Sequence, residues 1–211
     1  TIPADDVVEA AHLYGEAERA SISWGLGVTE QRYGSECVQM ICNLALMTGK
    51  IGRPGCALMP LRGQNNVQGS SDMGALPDTF TAYRSVGDEE TARMFEERWG
   101  VTMKRERGLK MPEMLDAAIE GSIKAMWICG YDIAQSDPDV DHVVAALSNL
   151  EFLVVQEIFE NETSSFAHVI LPAASFLEKS GTFTNAERRM QVVQAAASPP
   201  GAAKTDLEIY G

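Results

Sequence analysis

The sequence predicts an α/β fold, short parallel strands with helices packed beside them, and three observations carry that prediction. Lys124–Cys129 and Phe152–Val155 are short apolar runs that stop at Gly130 and at Gln156-Glu157. Between them, Val140, Val143, Val144 and Leu147 recur at i, i+3, i+4 and i+7, the spacing of one helix face. Strand, helix and strand in that order make a βαβ unit with parallel strands. The N-terminal part repeats the grammar as helix, strand, helix. Finally, 45% of the 211 residues are hydrophobic, enough for a buried core in one or two domains.

Taken in order, the first element is a helix over Pro3 to Glu18. Proline sits in its first turn, Asp5 and Asp6 favour the positive end of the dipole, and Val7, Ala11 and Tyr14 share a face. Ala20–Trp24 reads as a short buried strand stopped by Gly25 and Gly27. A helix over Ser35 to Thr48 stacks Val38, Ile41, Cys42 and Ala45, and Gly49 stands where a left-handed cap is needed. From Ile51 to Thr81 periodicity is lost among glycines and prolines, which predicts a long segment without regular structure. Glu89–Trp99 is a helix with Phe95 and Trp99 four apart and Gly100 as its stop. Pro112–Glu120 is another, turning Leu115, Ala118 and Ile119 inward before Gly121. Asp137-Pro138 opens the helix of the βαβ unit. His168–Leu171 supplies a third strand before Pro172, and Arg188–Val193 a further one.

Composition excludes several functions. With 17 Lys+Arg against 30 Asp+Glu the formal charge is −13. Such a chain lacks the basic footprint of a nucleic-acid binder. It is too apolar for intrinsic disorder, and no run of about 18 apolar residues could cross a bilayer. The acidic, helix-like N-terminus does not read as a signal peptide. Cys37, Cys42, Cys56 and Cys129 contain no C-x-x-C pair, and on a helix Cys37 and Cys42 would point about 140° apart. His12, His142 and His168 are scattered, so no metal site is expected from this chain alone.

Open parallel sheets bind ligands beyond the carboxyl ends of their strands. Here those ends are Cys129-Gly130-Tyr131-Asp132 and Gln156-Glu157-Ile158-Phe159. Gly130 permits close backbone approach, and Asp132 or Glu157 could accept from ribose hydroxyls or a guanine edge. Asp137 could cap its helix or bond the ligand, and Glu157 could equally be a solvated loop carboxylate. The glycine-rich stretch reads as a flexible link between domains or as a ligand loop. Arg62, Gln64, Asn65, Asn66, Gln68 and Asp72, directional hydrogen-bonding groups among glycines, favour the second. Neither G-x-G-x-x-G, a P-loop nor G-x-S-x-G occurs. The residues alone reach a nucleotide-binding α/β module and stop short of a reaction.

The run Leu61-Arg-Gly-Gln-Asn-Asn-Val-Gln-Gly69, followed by Asp72-Met-Gly-Ala-Leu-Pro-Asp78, resembles the molybdopterin oxidoreductase family. Within it, the likeness is to the catalytic subunits of molybdenum- or tungsten-dependent formate dehydrogenases. Trp24–Thr29, Leu46–Gly52, Val154–Phe159, Val169–Pro172 and Gly181–Asn185 agree with that family in order and spacing. The resemblance implies Rossmann-like dinucleotide-binding segments within a larger multidomain molybdoenzyme. Residues 1–63 would end one α/β domain, and 64–211 would form much of a second that binds a molybdopterin guanine dinucleotide. The cofactor implied is bis(molybdopterin guanine dinucleotide) carrying Mo or W. Its cysteine or selenocysteine ligand, a neighbouring histidine and a [4Fe–4S] cluster are expected upstream, with a cofactor-closing domain downstream.

By position, the resemblance makes Arg62 the arginine that orients formate, its planar fork matching a carboxylate; a structural arginine bonding loop carbonyls is the alternative. Gln64 and Asn65 would bond the pterin or nearby backbone. Gly130, Tyr131, Asp132, Asp137, Gln156, Glu157 and Thr163 fall in loops holding one guanine dinucleotide. Gly130-Tyr-Asp-Ile133 departs from the family's Gly-Glu-Asn/Asp-Pro-like turn, and Asn185-Ala-Glu-Arg-Arg189 lacks the glycine of many relatives. The implied reaction is reversible two-electron oxidation of formate to carbon dioxide, with electron-transfer subunits as partners and the fragment alone inactive. A cytoplasmic place is favoured over a periplasmic one. Another molybdopterin oxidoreductase, such as a nitrate reductase, and a non-catalytic nucleotide-binding module are the alternatives.

Overall fold

The structure is a computed structural model and describes residues 2–211. It divides into two compact units, one reaching Ser70 and including Thr184–Met190, the other made of Ser71–Phe183 and Gln191–Gly211. The first break between these compact units falls after Ser70. Leu61 is held in the first unit, its N–H donating to the Trp24 carbonyl at 2.7 Å.

The first unit contains α1 (Ala4–Glu16), β1 (Ser21–Trp24), α2 (Leu26–Thr29), α3 (Gly34–Met47) and β2 (Ala57–Pro60). β1 and β2 pair in parallel, Ser21 opposite Ala57 and Trp24 opposite Pro60, with α3 in the crossover between them. Gly49 follows α3 at φ 65°, the left-handed conformation that glycine adopts without a Cβ penalty. β2 corrects the expectation of an unstructured stretch from Ile51. Four residues ending in proline show no period of their own, and pairing with β1 makes them a strand. β1 is not buried throughout either. Ser21 and Ser23 are exposed and only Trp24 is buried, the one-sided alternation of a strand with a solvated face.

α4 (Val67–Asp72) leads into the second unit. There β3 (Thr79–Phe80) and β4 (Arg84–Ser85) form a small antiparallel ribbon, followed by α5 (Glu89–Trp99). Asp88 caps α5 by accepting from Thr91 N–H at 2.8 Å, and Gly100 ends it at φ 71°. The ring of Phe95 lies 4.7 Å from those of both Phe80 and Trp99.

Beside this cluster Glu96 accepts from Arg105 at 2.8 and 3.0 Å and from Met103 N–H at 2.8 Å. Those bonds, Arg105 first, hold the Glu96 carboxyl at about 2 against its ordinary 4.5. A carboxyl depressed in the folded state contributes stability above pH 4.5 that is lost as the pH falls toward 2. Glu96→Gln is therefore expected to lower the melting temperature at neutral pH. It should also flatten the fall in melting temperature between pH 4.5 and 2, read by circular dichroism.

The larger sheet follows: α6 (Met111–Ile119), β5 (Ala125–Cys129), α7 (Ile133–Ser136), α8 (Val140–Asn149), β6 (Phe152–Glu157) and β7 (Val169–Pro172). The strands lie in the order β5-β6-β7, all parallel, with Cys129 opposite Gln156 and Gln156 opposite Leu171. The βαβ expectation holds. Leu115 and Ala118 of α6, Val143, Ala146 and Leu147 of α8, and Leu153 and Val155 of β6 form the core.

The helix pattern is half right. Val143 and Leu147 are buried, but Val140, Val144 and Ile119 are exposed, because each helix buries a narrower stripe than its apolar residues suggest. β5 was expected to be buried and is covered on one side: Met126 and Ile128 pack on the core, while Trp127 is 48% exposed and meets the Tyr210 ring at 5.3 Å. The chain ends with β8 (Gly181–Thr184) and β9 (Met190–Val193), which pair across Asn185–Arg189, and α9 (Asp206–Tyr210). Among the described residues no helix is long and apolar enough to cross a membrane.

Candidate functional site

Each unit presents a strand crest, and Arg62, Gln64 and Asn65 follow one while Gly130, Tyr131, Asp132, Gln156 and Glu157 lie at the other; Asp137 and Thr163 lie off both. In the first unit β1 and β2 end together at Trp24 and Pro60, and the chain runs on into Leu61-Arg62-Gly63-Gln64. A cleft of about 220 Å³ opens there, with Trp24, Gly25 and Leu26 on one side and Arg62, Gln64 and Val67 on the other. The glycine-and-amide stretch is thus seated at the carboxyl end of a parallel pair. Arg62 is exposed, and its Nη2 donates to Gln68 Oε1 at 3.2 Å. Gln64 and Asn65 are exposed in the turn before α4. Asn66 is half-buried at φ 62°, and its Oδ1 accepts from Thr184 N–H at 2.9 Å.

In the second unit the crest is Cys129-Gly130-Tyr131-Asp132 beside Gln156-Glu157. Gly130 stands at φ 63°, with no atom within 4 Å of where a Cβ would lie, and its N–H donates to the Gln156 carbonyl at 2.9 Å. The backbone is therefore open to close approach at the end of β5. Tyr131 is exposed beside it. Gln156 is fully buried: its Nε2 donates to Asp206 Oδ1 at 2.8 Å, while its Oε1 is enclosed without a hydrogen-bond partner among the described residues. An enclosed acceptor with no donor is costly unless something supplies one. Glu157 is half-buried, and its Oε1 accepts from Ile158 N–H at 2.7 Å.

Asp132 and Thr163 meet each other. Thr163 is fully buried, and its hydroxyl donates to Asp132 Oδ1 at 2.6 Å while accepting from Ala134 N–H at 3.0 Å. Thr163 N–H donates to the same Asp132 oxygen at 3.0 Å. Burial alone would raise the Asp132 pKa; the hydrogen bonds from Thr163, together with those from the Glu162 and Gln135 backbones, outweigh it and hold the carboxyl below its ordinary value. The pair braces the loop after β5 against the loop after β6, so Thr163 acts from beneath the surface.

Asp137 differs from its expected place as helix opener. A short helix, α7, intervenes, and Asp139 is the N-cap of α8, accepting from His142 N–H at 3.3 Å. Asp137 is half-buried and accepts from Asp139 N–H at 3.0 Å, which turns the chain between the two helices. Sequence reasoning missed Asp206 and Lys179. Their side chains pair, and Asp206 holds the Gln156 amide. The Thr205-Asp-Leu-Glu208 capping box was the signal that could have found α9. Burial, then the bond with Cys129, raises the Tyr210 phenol above its ordinary value.

Parallel strands flanked by helices, with a left-handed glycine after one strand and a polar loop at the carboxyl end of the other parallel pair, define a mixed α/β fold. The chain belongs to the molybdopterin oxidoreductase family, whose profile matches residues 9–211. It is 50% identical over 200 residues to the F420-dependent formate dehydrogenase subunit alpha of Methanocaldococcus jannaschii, covering 95% of this chain and 29% of that protein. It is also 50% identical over 206 residues to the F420-dependent formate dehydrogenase 2 subunit alpha of Methanococcus maripaludis, covering 97% of this chain and 30% of that one. The chain thus spans less than a third of the length of these relatives. Among solved structures, acetylene hydratase from Pelobacter acetylenicus shares the fold, with a TM-score of 0.66 at 17% identity over 98% of this chain and 31% of that chain.

Proposed function

We propose that this chain is the portion of a formate dehydrogenase catalytic subunit that cradles bis(molybdopterin guanine dinucleotide) and presents Arg62 to formate. The observation that carries the reading is the seating of the Arg62 loop in a cleft at the crest of a parallel strand pair. The donor set fits the cofactor: an open left-handed glycine, an enclosed amide oxygen lacking a donor, and carboxylates at the strand ends suit a guanine dinucleotide. The first unit completes one pterin-binding α/β domain, and the second is the Rossmann-like domain for one dinucleotide.

Arg62 offers a fixed fork of N–H donors that a carboxylate can accept in parallel. Gln64 and Asn65 flank it as amide donors and acceptors for the pterin. Gly130, Tyr131, Gln156 and Glu157 line the dinucleotide crest, while Asp132, Thr163 and Asp137 fix the loops that shape it. A Mo- or W-pterin held there would supply the two-electron redox chemistry that oxidation of formate to carbon dioxide requires. Electron-transfer subunits follow as partners, since those electrons must leave.

The complete subunit is expected to carry Mo or W with two guanine dinucleotides per metal and to reduce a viologen dye with formate. Metal analysis, cofactor extraction and dye reduction test this. A metal-loaded protein that reduces nitrate and ignores formate would overturn the substrate, and one without pterin would overturn the reading altogether.

A further inference from the structure

We infer that Asn66 is a positioning residue, the anchor that holds the Arg62 loop in register for a carboxylate substrate. The inference rests on the reading of Arg62 as the formate-orienting group and assigns the part that keeps it in place.

Three observations converge on Asn66. Its backbone lies at φ 62°, a left-handed conformation that non-glycine residues seldom hold, Asn and Asp most readily. Its side-chain Oδ1 accepts from Thr184 N–H at 2.9 Å, across 118 residues of sequence. The same amide is packed against Gly69: a Cβ added there would fall 2.2 Å from Asn66 Oδ1 and 2.9 Å from its Cγ. Glycine at 69 is thus what lets the Asn66 side chain point at Thr184.

The anchor reaches Arg62 through a short path. Asn66 opens the turn into α4, where Ser70 N–H donates to the Asn66 carbonyl at 3.0 Å. Within that first turn Gln68 Oε1 accepts from Arg62 Nη2 at 3.2 Å. Fixing Asn66 to the β8–β9 turn therefore fixes Gln68, and Gln68 sets where one arm of the guanidinium lies. Bidentate recognition of a planar anion depends on such orientation, and a displacement near 1 Å is enough to weaken it.

Substitutions separate the hydrogen bond from the backbone conformation. Asn66→Gly accepts the left-handed φ freely but removes the acceptor, whereas Asn66→Asp tolerates that φ and keeps an acceptor oxygen. In the complete, metal-loaded subunit, Asn66→Gly is expected to raise the formate KM roughly three- to tenfold, the worth of one hydrogen bond. Metal content and kcat should change little, and Thr184 amide exchange should quicken. Asn66→Asp should restore both the KM and the slow exchange.

A KM unchanged in Asn66→Gly, or raised as much in Asn66→Asp, overturns the inference. So does a fall in metal content that accounts for all lost activity, because that is what a purely structural role predicts. Arg62→Lys run alongside distinguishes the two levels. If it leaves the formate KM unaltered, the reading of Arg62 falls and this inference with it. If it raises KM while Asn66→Gly does not, the anchor alone falls.

Discussion

Replacing Arg62 with alanine is expected to lower formate turnover by roughly 10²–10³-fold in the complete subunit, the usual loss when a preorganised charge-stabilising donor is removed. Arg62→Lys keeps the charge and loses the fork, so its loss should be smaller, on the order of tenfold, and concentrated in KM. Bound metal should stay constant in both, because Arg62 is exposed and no part of the core rests on it. Steady-state dye reduction with metal analysis on the same preparations measures this. Turnover within twofold of the parent would remove Arg62 from the mechanism.

The second large effect belongs to Thr163. Thr163→Val keeps the shape of the side chain but deletes the hydroxyl that donates to Asp132 and accepts from Ala134 N–H. A buried amide loses its acceptor and a carboxylate one of its donors, so the expected destabilisation is about 2–4 kcal/mol. Urea unfolding of the 211-residue chain reads it, and Thr163→Ser should recover most of it. The variant also raises the Asp132 pKa toward its ordinary value. In the parent the depressed carboxyl stabilises the fold above the unfolded-state pKa and ceases to do so on acidification. Thr163→Val should therefore lose less stability than the parent between neutral and acid pH. A denaturation midpoint unmoved by Thr163→Val would show that the brace between the two crest loops carries no weight.

Sequence revealed the elements whose stability is local. Gly49, Gly100 and Gly121 each stand left-handed at a helix end, where periodic apolar residues stop, so those boundaries could be read directly. The parallel β5–α8–β6 unit was legible for the same reason, two apolar runs flanking one helical stripe. Exposure was not. Trp127, Val140 and Val144 look like core residues in sequence, and the side of a strand or helix that stays uncovered is set by tertiary packing.

At the site, spacing and resemblance located both crests but not what each side chain does there. Asp137 reads as a cap because proline follows it, yet Asp139 stands two residues closer to the helix and takes the role. Thr163 reads as a loop hydroxyl, and only its complete burial marks it as a brace. β2 was invisible because Ala57–Pro60 is short, ends in proline and lies in a stretch of glycines and prolines, and it exists through its pairing with β1. Asn66 was legible as a hydrogen-bonding side chain of the loop but not by its bond to Thr184, since that partner is remote in the chain.

That remoteness constrains how the protein is made. A ribosome releases Asn66 long before Thr184, and closing so long a span costs chain entropy that local helices never face. The bond between Asn66 and Thr184 therefore cannot form until the chain has been made past residue 184. A genetic truncation after Ser70 would keep the Arg62–Gln68 contact but strip Asn66 of its Thr184 partner, so expression boundaries meant to keep the first unit whole have to run past residue 190.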